Sequence, residues 1–139
     1  MRTVVLLIPY SIKSGKLFVM MQQRSMQQKR IPGYISFFGG GMNEGESEEQ
    51  ALTREVKEEL NFDLKINQVK LFQSYEFYKT INHAYLFETN TDWTPPAVLE
   101  GDAAVWLNVE DAFDKPNITL KDKTLLNDLE IEFLNKPIR

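Results

Sequence analysis

The chain has 139 residues, 42% hydrophobic and 26% charged, a composition that suits one soluble globular domain (residues 1–139) and not a disordered segment. A formal net charge of −4 argues against general nucleic-acid binding, which calls for a basic surface. The absence of cysteine excludes disulfides, thiolate metal sites and a cysteine nucleophile, and fits a cytoplasmic location.

Thr3 to Ser11 reads as a buried strand. Its apolar run, Val4 to Ile8, is far shorter than the roughly 20 residues that span a bilayer, so no membrane partner is expected. No small-residue cleavage site follows Pro9-Tyr10, so the run does not read as a leader. Lys13-Ser14-Gly15 is a turn, and Lys16 to Arg24 is the hairpin partner, with Leu17, Val19 and Met21 alternating inward. Ser25 to Gly33 is a polar loop carrying Lys29 and Arg30. Tyr34 to Phe38 is a short aromatic strand, which Gly39-Gly40-Gly41 is expected to break.

Ser47 is placed to cap a helix that runs to about Leu60. Asn61 stands at its end, where the left-handed conformation is often needed and asparagine tolerates it. Leu64 to Lys79 holds one or two strands. Simple alternation puts Leu71, Gln73, Tyr75 and Phe77 on one face and Phe72, Ser74, Glu76 and Tyr78 on the other. Asn82 to Thr89 pairs with this segment, and Asn90 to Pro96 is a loop stiffened by Pro95-Pro96. Ala104 to Asn108 is a strand and Val109 to Phe113 a helical turn. Lys121 to Leu134 is an amphipathic helix with Leu125, Leu126, Leu129 and Phe133 inward. Strands on both sides of a central helix, with a closing helix, make an α/β domain.

The helix ending at Leu60 carries unusual charge. At about 100° per residue, Glu55, Glu58 and Glu59 share roughly a third of its circumference, beside the apolar stripe of Leu52, Val56 and Leu60. Carboxylates at this spacing repel one another. A hard divalent cation, Mg²⁺ or Mn²⁺, would relieve the repulsion. Arg54 is placed to pair with Glu58 or Glu46. The upstream glycines let a metal or phosphate approach the main chain closely.

Gly40, Glu46, Arg54, Glu55, Val56, Glu58, Glu59 and Phe62 match the pattern G-x5-E-x7-R-E-U-x-E-E-x-G-U, where U is a bulky apolar residue. The chain therefore resembles the Nudix (MutT-like) hydrolases, with Asn61 standing where that family has glycine. The resemblance implies an α/β/α sandwich with a mixed sheet, a smaller antiparallel sheet and the acidic helix. It implies hydrolysis of a nucleoside diphosphate linked to some group X, with Mg²⁺ (or Mn²⁺) as cofactor. Glu55, Glu58, Glu59 and the carbonyl of Gly39 are the implied metal ligands. Arg54 would orient the glutamates, supported by Glu46. The general base is left open between Glu55 and Glu100, with Asp102 a substitute for Glu100.

Substrate contacts are expected from Arg24, Gly40, Phe38 and Tyr75. Phe38 replaces the proline common in the family, as in some oxidised-purine nucleoside triphosphatases. Phe37, Tyr34, Tyr78 and Trp93 are further aromatics able to stack on a base. The leading substrate is thus a nucleoside triphosphate such as an oxidised purine nucleotide. The alternatives are a nucleotide sugar, coenzyme A, a dinucleoside polyphosphate or capped RNA, or a silent nucleotide-binding domain. A homodimer is a further expectation, since many members of the family are dimers. His83, the single histidine, reads as a strand residue without a relay partner.

Overall fold

The computed structural model describes residues 1–137 and 139. The apolar run after Arg2 becomes its central strand, β1 (Arg2–Lys13), because alternation buries it on both faces. Val4, Leu6 and Ile8 face one core, and Val5 and Leu7 the other. One edge of β1 pairs in parallel with β6 (Thr80–Glu88). The other edge is divided. Val4 to Leu7 pair antiparallel with β4 (Phe38–Gly41), and Tyr10 to Lys13 pair antiparallel with β2 (Lys16–Gln23). The hairpin turn at Ser14-Gly15 has positive φ at both residues, as a tight two-residue connection requires. β2 also pairs with β3 (Ile35–Ser36) and with β7 (Ala103–Asn108), and β5 (Val69–Phe77) lies outside β6. Among the described residues, these seven strands form one mixed sheet whose antiparallel branch joins the rest through β1.

Helix α1 (Glu48–Leu60) covers one face of the sheet, burying Leu52, Val56 and Leu60 against Val5, Leu7 and Phe38. The short α2 (Val109–Ala112) and α3 (Leu120–Leu134) cover the other, with Leu125, Leu126 and Leu129 fully buried. Phe133 stacks on Tyr10. The result is an α/β/α sandwich. Ser47 caps α1 with a reciprocal pair of bonds to Gln50, and Asn61 ends it at φ 52°. Among the described residues, no helix is long and apolar enough to cross a membrane.

Two expectations are corrected. Gly39 to Gly41 do not break the strand; they are the strand, paired with Leu6, Val5 and Val4. Glycine is required there because a Cβ on Gly39, at φ 140°, would collide with the Val5 backbone. In β5 a bulge between Leu71 and Gln73 resets the alternation. Phe72, Tyr75 and Phe77 therefore pack on the core while Leu71 is exposed.

Candidate active site

The site is built where β4 passes the C-terminal half of α1. A Cβ on Gly40 would lie 2.6 Å from the Glu55 carboxyl, so the bare glycine strand is what lets the helix carboxylates come up to the main chain. Glu59, only 3% exposed, accepts a hydrogen bond from the Gly39 N–H at 2.9 Å. Burial pushes its carboxyl up to about 10, reinforced by a hydrogen bond with Glu100 and by the charges of Glu100 and Glu55. The Gly39 N–H works in the opposite direction. Glu55 is also raised, first by burial, with Arg54 opposing and Glu58 and Glu100 adding to the rise.

Arg54 is the organiser. Its Nε and Nη2 grip both oxygens of Glu46, at 2.7 and 2.9 Å. Nη2 also donates to the Gly41 carbonyl at 3.0 Å, and Nη1 to Glu55 at 2.9 Å and Glu58 at 3.3 Å. One guanidinium thus ties the loop before α1, strand β4 and the acidic face of the helix together, using all its donors. The Arg54 hydrogen bonds, with the Asn43 N–H, hold the Glu46 carboxyl down at about 2.

Glu100 arrives from the far end of the chain by backbone placement. The Ala97 N–H donates to the Leu60 carbonyl and the Leu99 N–H to the Glu59 carbonyl, so the loop caps the last turn of α1. The next residue, Glu100, then meets the Glu59 side chain. On its other side Glu100 is reached by Gln22, through its carbonyl, and by Gln28.

These groups open onto a cavity of about 730 Å³ on the α3 side of the sheet. Gly39, Gly40, Gly41, Glu55 and Glu100 line it, as do Arg24 and Arg30. Arg24 is held by the Arg30 carbonyl and by Gln22. Glu58, 58% exposed, shares an Arg54 nitrogen with Glu55 and so stands on the solvent side of the cluster. Two expected residues stand elsewhere. Phe38 is fully buried under α1 with Leu7 and Leu52, which removes its ring from any substrate. Tyr75 packs on α3, where its hydroxyl donates to Asp128 at 2.7 Å, and it does not line the cavity. Asp102 is exposed and contributes only its N–H, to Gln23. Of the further aromatics, Phe37 and Tyr78 line the cavity, whereas Trp93 packs against Phe62 and Phe87. His83 meets Ser74 and Glu48 through the same ring nitrogen, an arrangement that cannot relay a proton.

Sequence reasoning passed over Arg2, Asn82, Lys121 and Asp122, all in the cavity wall. For Asp122 a signal exists: Thr119 and Asp122 have the spacing of an N-terminal cap, which places the aspartate on the first turn of α3.

Among the described residues, no three acidic or histidine side chains converge as a ready-made metal site. The donor set nevertheless fits a hard divalent ion. Glu55, Glu59 and Glu100 are oxygen donors; burial first, and then the neighbouring carboxylates, raise Glu55 and Glu59, and a cation would relieve that mutual repulsion.

The family model described as the NUDIX domain matches residues 1–129. The chain belongs to the Nudix family and, with it, to the pyrophosphohydrolases. Among solved structures it is similar to MutT, from a study of the Aliivibrio salmonicida and Vibrio cholerae proteins, with TM-score 0.73 and 20% identity over 95% of this chain and 98% of that one. It is similar to a Caenorhabditis elegans Ap4A hydrolase, with TM-score 0.71 and 22% identity over 98% of this chain and all of the other. It also resembles the Escherichia coli dihydroneopterin triphosphate pyrophosphohydrolase, with TM-score 0.68 and 19% identity over 94% and 95% of the two chains. At these identities the likeness shows the shared fold. No curated protein matched the chain.

Proposed function

We propose that this chain is a Mg²⁺-dependent hydrolase of a nucleoside diphosphate linked to X, and that its substrate is a nucleoside triphosphate such as an oxidised purine nucleotide. The observation that carries the reading is the carboxylate cluster of buried Glu59, half-buried Glu55 and exposed Glu100, beside a cavity that Glu55, Glu100, Arg2, Arg24 and Arg30 line. Glu55, Glu59 and Glu100 would hold the metal, with Glu58, which shares an Arg54 nitrogen with Glu55, beside them. A bound divalent ion supplies charge neutralisation on the phosphate oxygens and lowers the pKa of water. The chain's own groups do the rest. Arg54 orients Glu55, and the Gly39 N–H fixes Glu59. Glu55 and Glu100 stand in the cavity wall, and either would take the proton of a water attacking phosphorus. Arg2, Arg24 and Arg30 offer guanidinium forks to the phosphate chain. The similarity to MutT and to a dihydroneopterin triphosphate pyrophosphohydrolase supports a triphosphate, and that to an Ap4A hydrolase keeps a dinucleoside polyphosphate as the second reading.

The test is product analysis after incubation with Mg²⁺ and a panel of nucleoside triphosphates, their oxidised forms, nucleotide sugars, coenzyme A, diadenosine tetraphosphate and capped RNA. A nucleoside monophosphate plus pyrophosphate from a triphosphate supports the proposal. Turnover confined to another class overturns the substrate assignment, and no turnover on any member overturns the enzymatic one.

A further inference from the structure

Gln22 stands two residues beyond the buried Met20 on β2 and is itself only 1% exposed. An apolar side chain would fill such a place without the cost of burying an amide. Both ends of this amide are used. Its Oε1 accepts from Arg24 Nη1 at 3.0 Å, and its Nε2 donates to the Glu100 carbonyl at 3.2 Å. An arginine only donates and a carbonyl only accepts, so the two partners fix which way the amide points.

The two partners come from different segments. Glu100 lies between two backbone anchors, the Leu99 N–H on the Glu59 carbonyl and the Asp102 N–H on the Gln23 carbonyl. Gln22 holds the peptide between them. The chain lies against its side chain there: a Cβ on Gly101 would come 2.8 Å from Gln22 Cγ. Arg24 is tied by Nε to the Arg30 carbonyl and by Nη1 to Gln22, which leaves Nη2 without a partner among the described residues. Arg24 and Glu100 both line the cavity, whereas Gln22 does not.

We propose that Gln22 is a positioning residue for cleavage of the phosphate chain: its buried amide holds the Arg24 guanidinium and the Glu100 carboxylate at a fixed spacing. The proposal rests on the roles given above to Arg24 and Glu100, and it adds the group that ties them together. A guanidinium on the phosphates and a carboxylate on the metal grip one substrate from two sides, so a small error in their spacing is costly.

Ligand binding without turnover tests it. Mn²⁺ affinity is read by electron paramagnetic resonance, and tripolyphosphate affinity by calorimetry in chelator. The proteins are wild type, Gln22→Met, Arg24→Ala and the double variant. Methionine is close to glutamine in shape and can hold neither partner. Gln22→Met is expected to weaken both probes at least five-fold, and Arg24→Ala to weaken tripolyphosphate alone. In the Arg24→Ala background, Gln22→Met should still weaken Mn²⁺ but cost tripolyphosphate less than two-fold more, since the residue it acts through is gone. A merely structural role would weaken tripolyphosphate by the same factor in both backgrounds.

Gln22→Glu carries the test should the methionine variant fail to fold. It keeps the acceptor for Arg24 and loses the donor to Glu100. Its added charge would draw Mn²⁺ in, so at least two-fold weaker Mn²⁺ binding is expected from the lost bond, and affinity above that overturns the proposal. Gln22→Met affinities within two-fold of wild type, or equal tripolyphosphate losses with and without Arg24, overturn it and leave the hydrolase reading standing. The expected binding pattern in a protein that turns over no member of the substrate panel would do the reverse. A wild type that binds neither probe at millimolar concentration overturns both.

Discussion

Asp122→Asn makes the protein more stable above neutral pH, although it removes an acid from the first turn of a helix. Burial pushes the Asp122 carboxyl up to about 6 from an ordinary 3.8, against the opposing pull of Lys121 and Thr119. With the folded value above the unfolded one, the native state holds the proton more tightly. Its contribution to stability is complete below about pH 4 and is lost as pH rises through about 6. At about 1.4 kcal/mol per pH unit the full loss approaches 3 kcal/mol. The favourable dipole at the start of α3 recovers about 0.3–1 kcal/mol of it for the ionised form. A net gain of about 2 kcal/mol is therefore expected for the asparagine variant at pH 7.5, with near-equality at pH 3.5. Urea unfolding of both proteins at half-unit steps from pH 3.5 to 8 measures it. Parallel curves, or an asparagine variant that is the weaker at pH 7.5, would refute the reasoning that Asp122 is buried without adequate compensation.

Gly40→Ala places a methyl 2.6 Å from the Glu55 carboxyl, so steady-state kinetics should show at least a ten-fold loss of kcat/KM while circular dichroism is unchanged. Phe38→Ala empties a fully buried site under α1 and should cost about 3–5 kcal/mol in denaturant unfolding, with KM retained in the folded fraction. Tyr75→Phe removes one hydrogen bond to Asp128, a loss of about 1 kcal/mol in thermal or urea unfolding, and should leave KM for nucleotide within two-fold of wild type. A KM rise in the last variant would return Tyr75 to the substrate site.

The acidic helix was legible in the sequence because its requirements are local. Capping at Ser47, the left-handed end at Asn61 and the apolar stripe of Leu52, Val56 and Leu60 all follow from spacing along one element. Glycines next to one another, by contrast, read as a break. Gly39 to Gly41 form a strand only because β1 supplies partners from a distant part of the chain. The bulge at Phe72 was equally hidden, and one inserted residue moved Leu71 to the face opposite Tyr75 and Phe77. Phe38 shows the same limit at the site. An aromatic beside the glycines looked like a base platform, but strand alternation turned it to the opposite face, under α1. Asn82 could not be found because an asparagine in an apolar strand carries no sign of whether its amide is partnered. That depends on Lys121, nearly forty positions away. The three helix glutamates fall together on a helical wheel, yet their tertiary contacts differ. Glu59 is drawn in by the Gly39 N–H, and Glu58 shares an Arg54 nitrogen with Glu55 on the solvent side.

The central claim is that the carboxylate pair of buried Glu59 and exposed Glu100 serves metal-dependent cleavage of a nucleotide pyrophosphate bond. Its most direct test is the rate of pyrophosphate release from 8-oxo-dGTP and dGTP, with and without Mg²⁺, in wild type and Glu59→Gln. The account predicts Mg²⁺-dependent release by wild type and at least a hundred-fold lower kcat in the variant, with the fold intact by circular dichroism. Release that persists in chelator, or a folded Glu59→Gln protein with wild-type kcat, would contradict it.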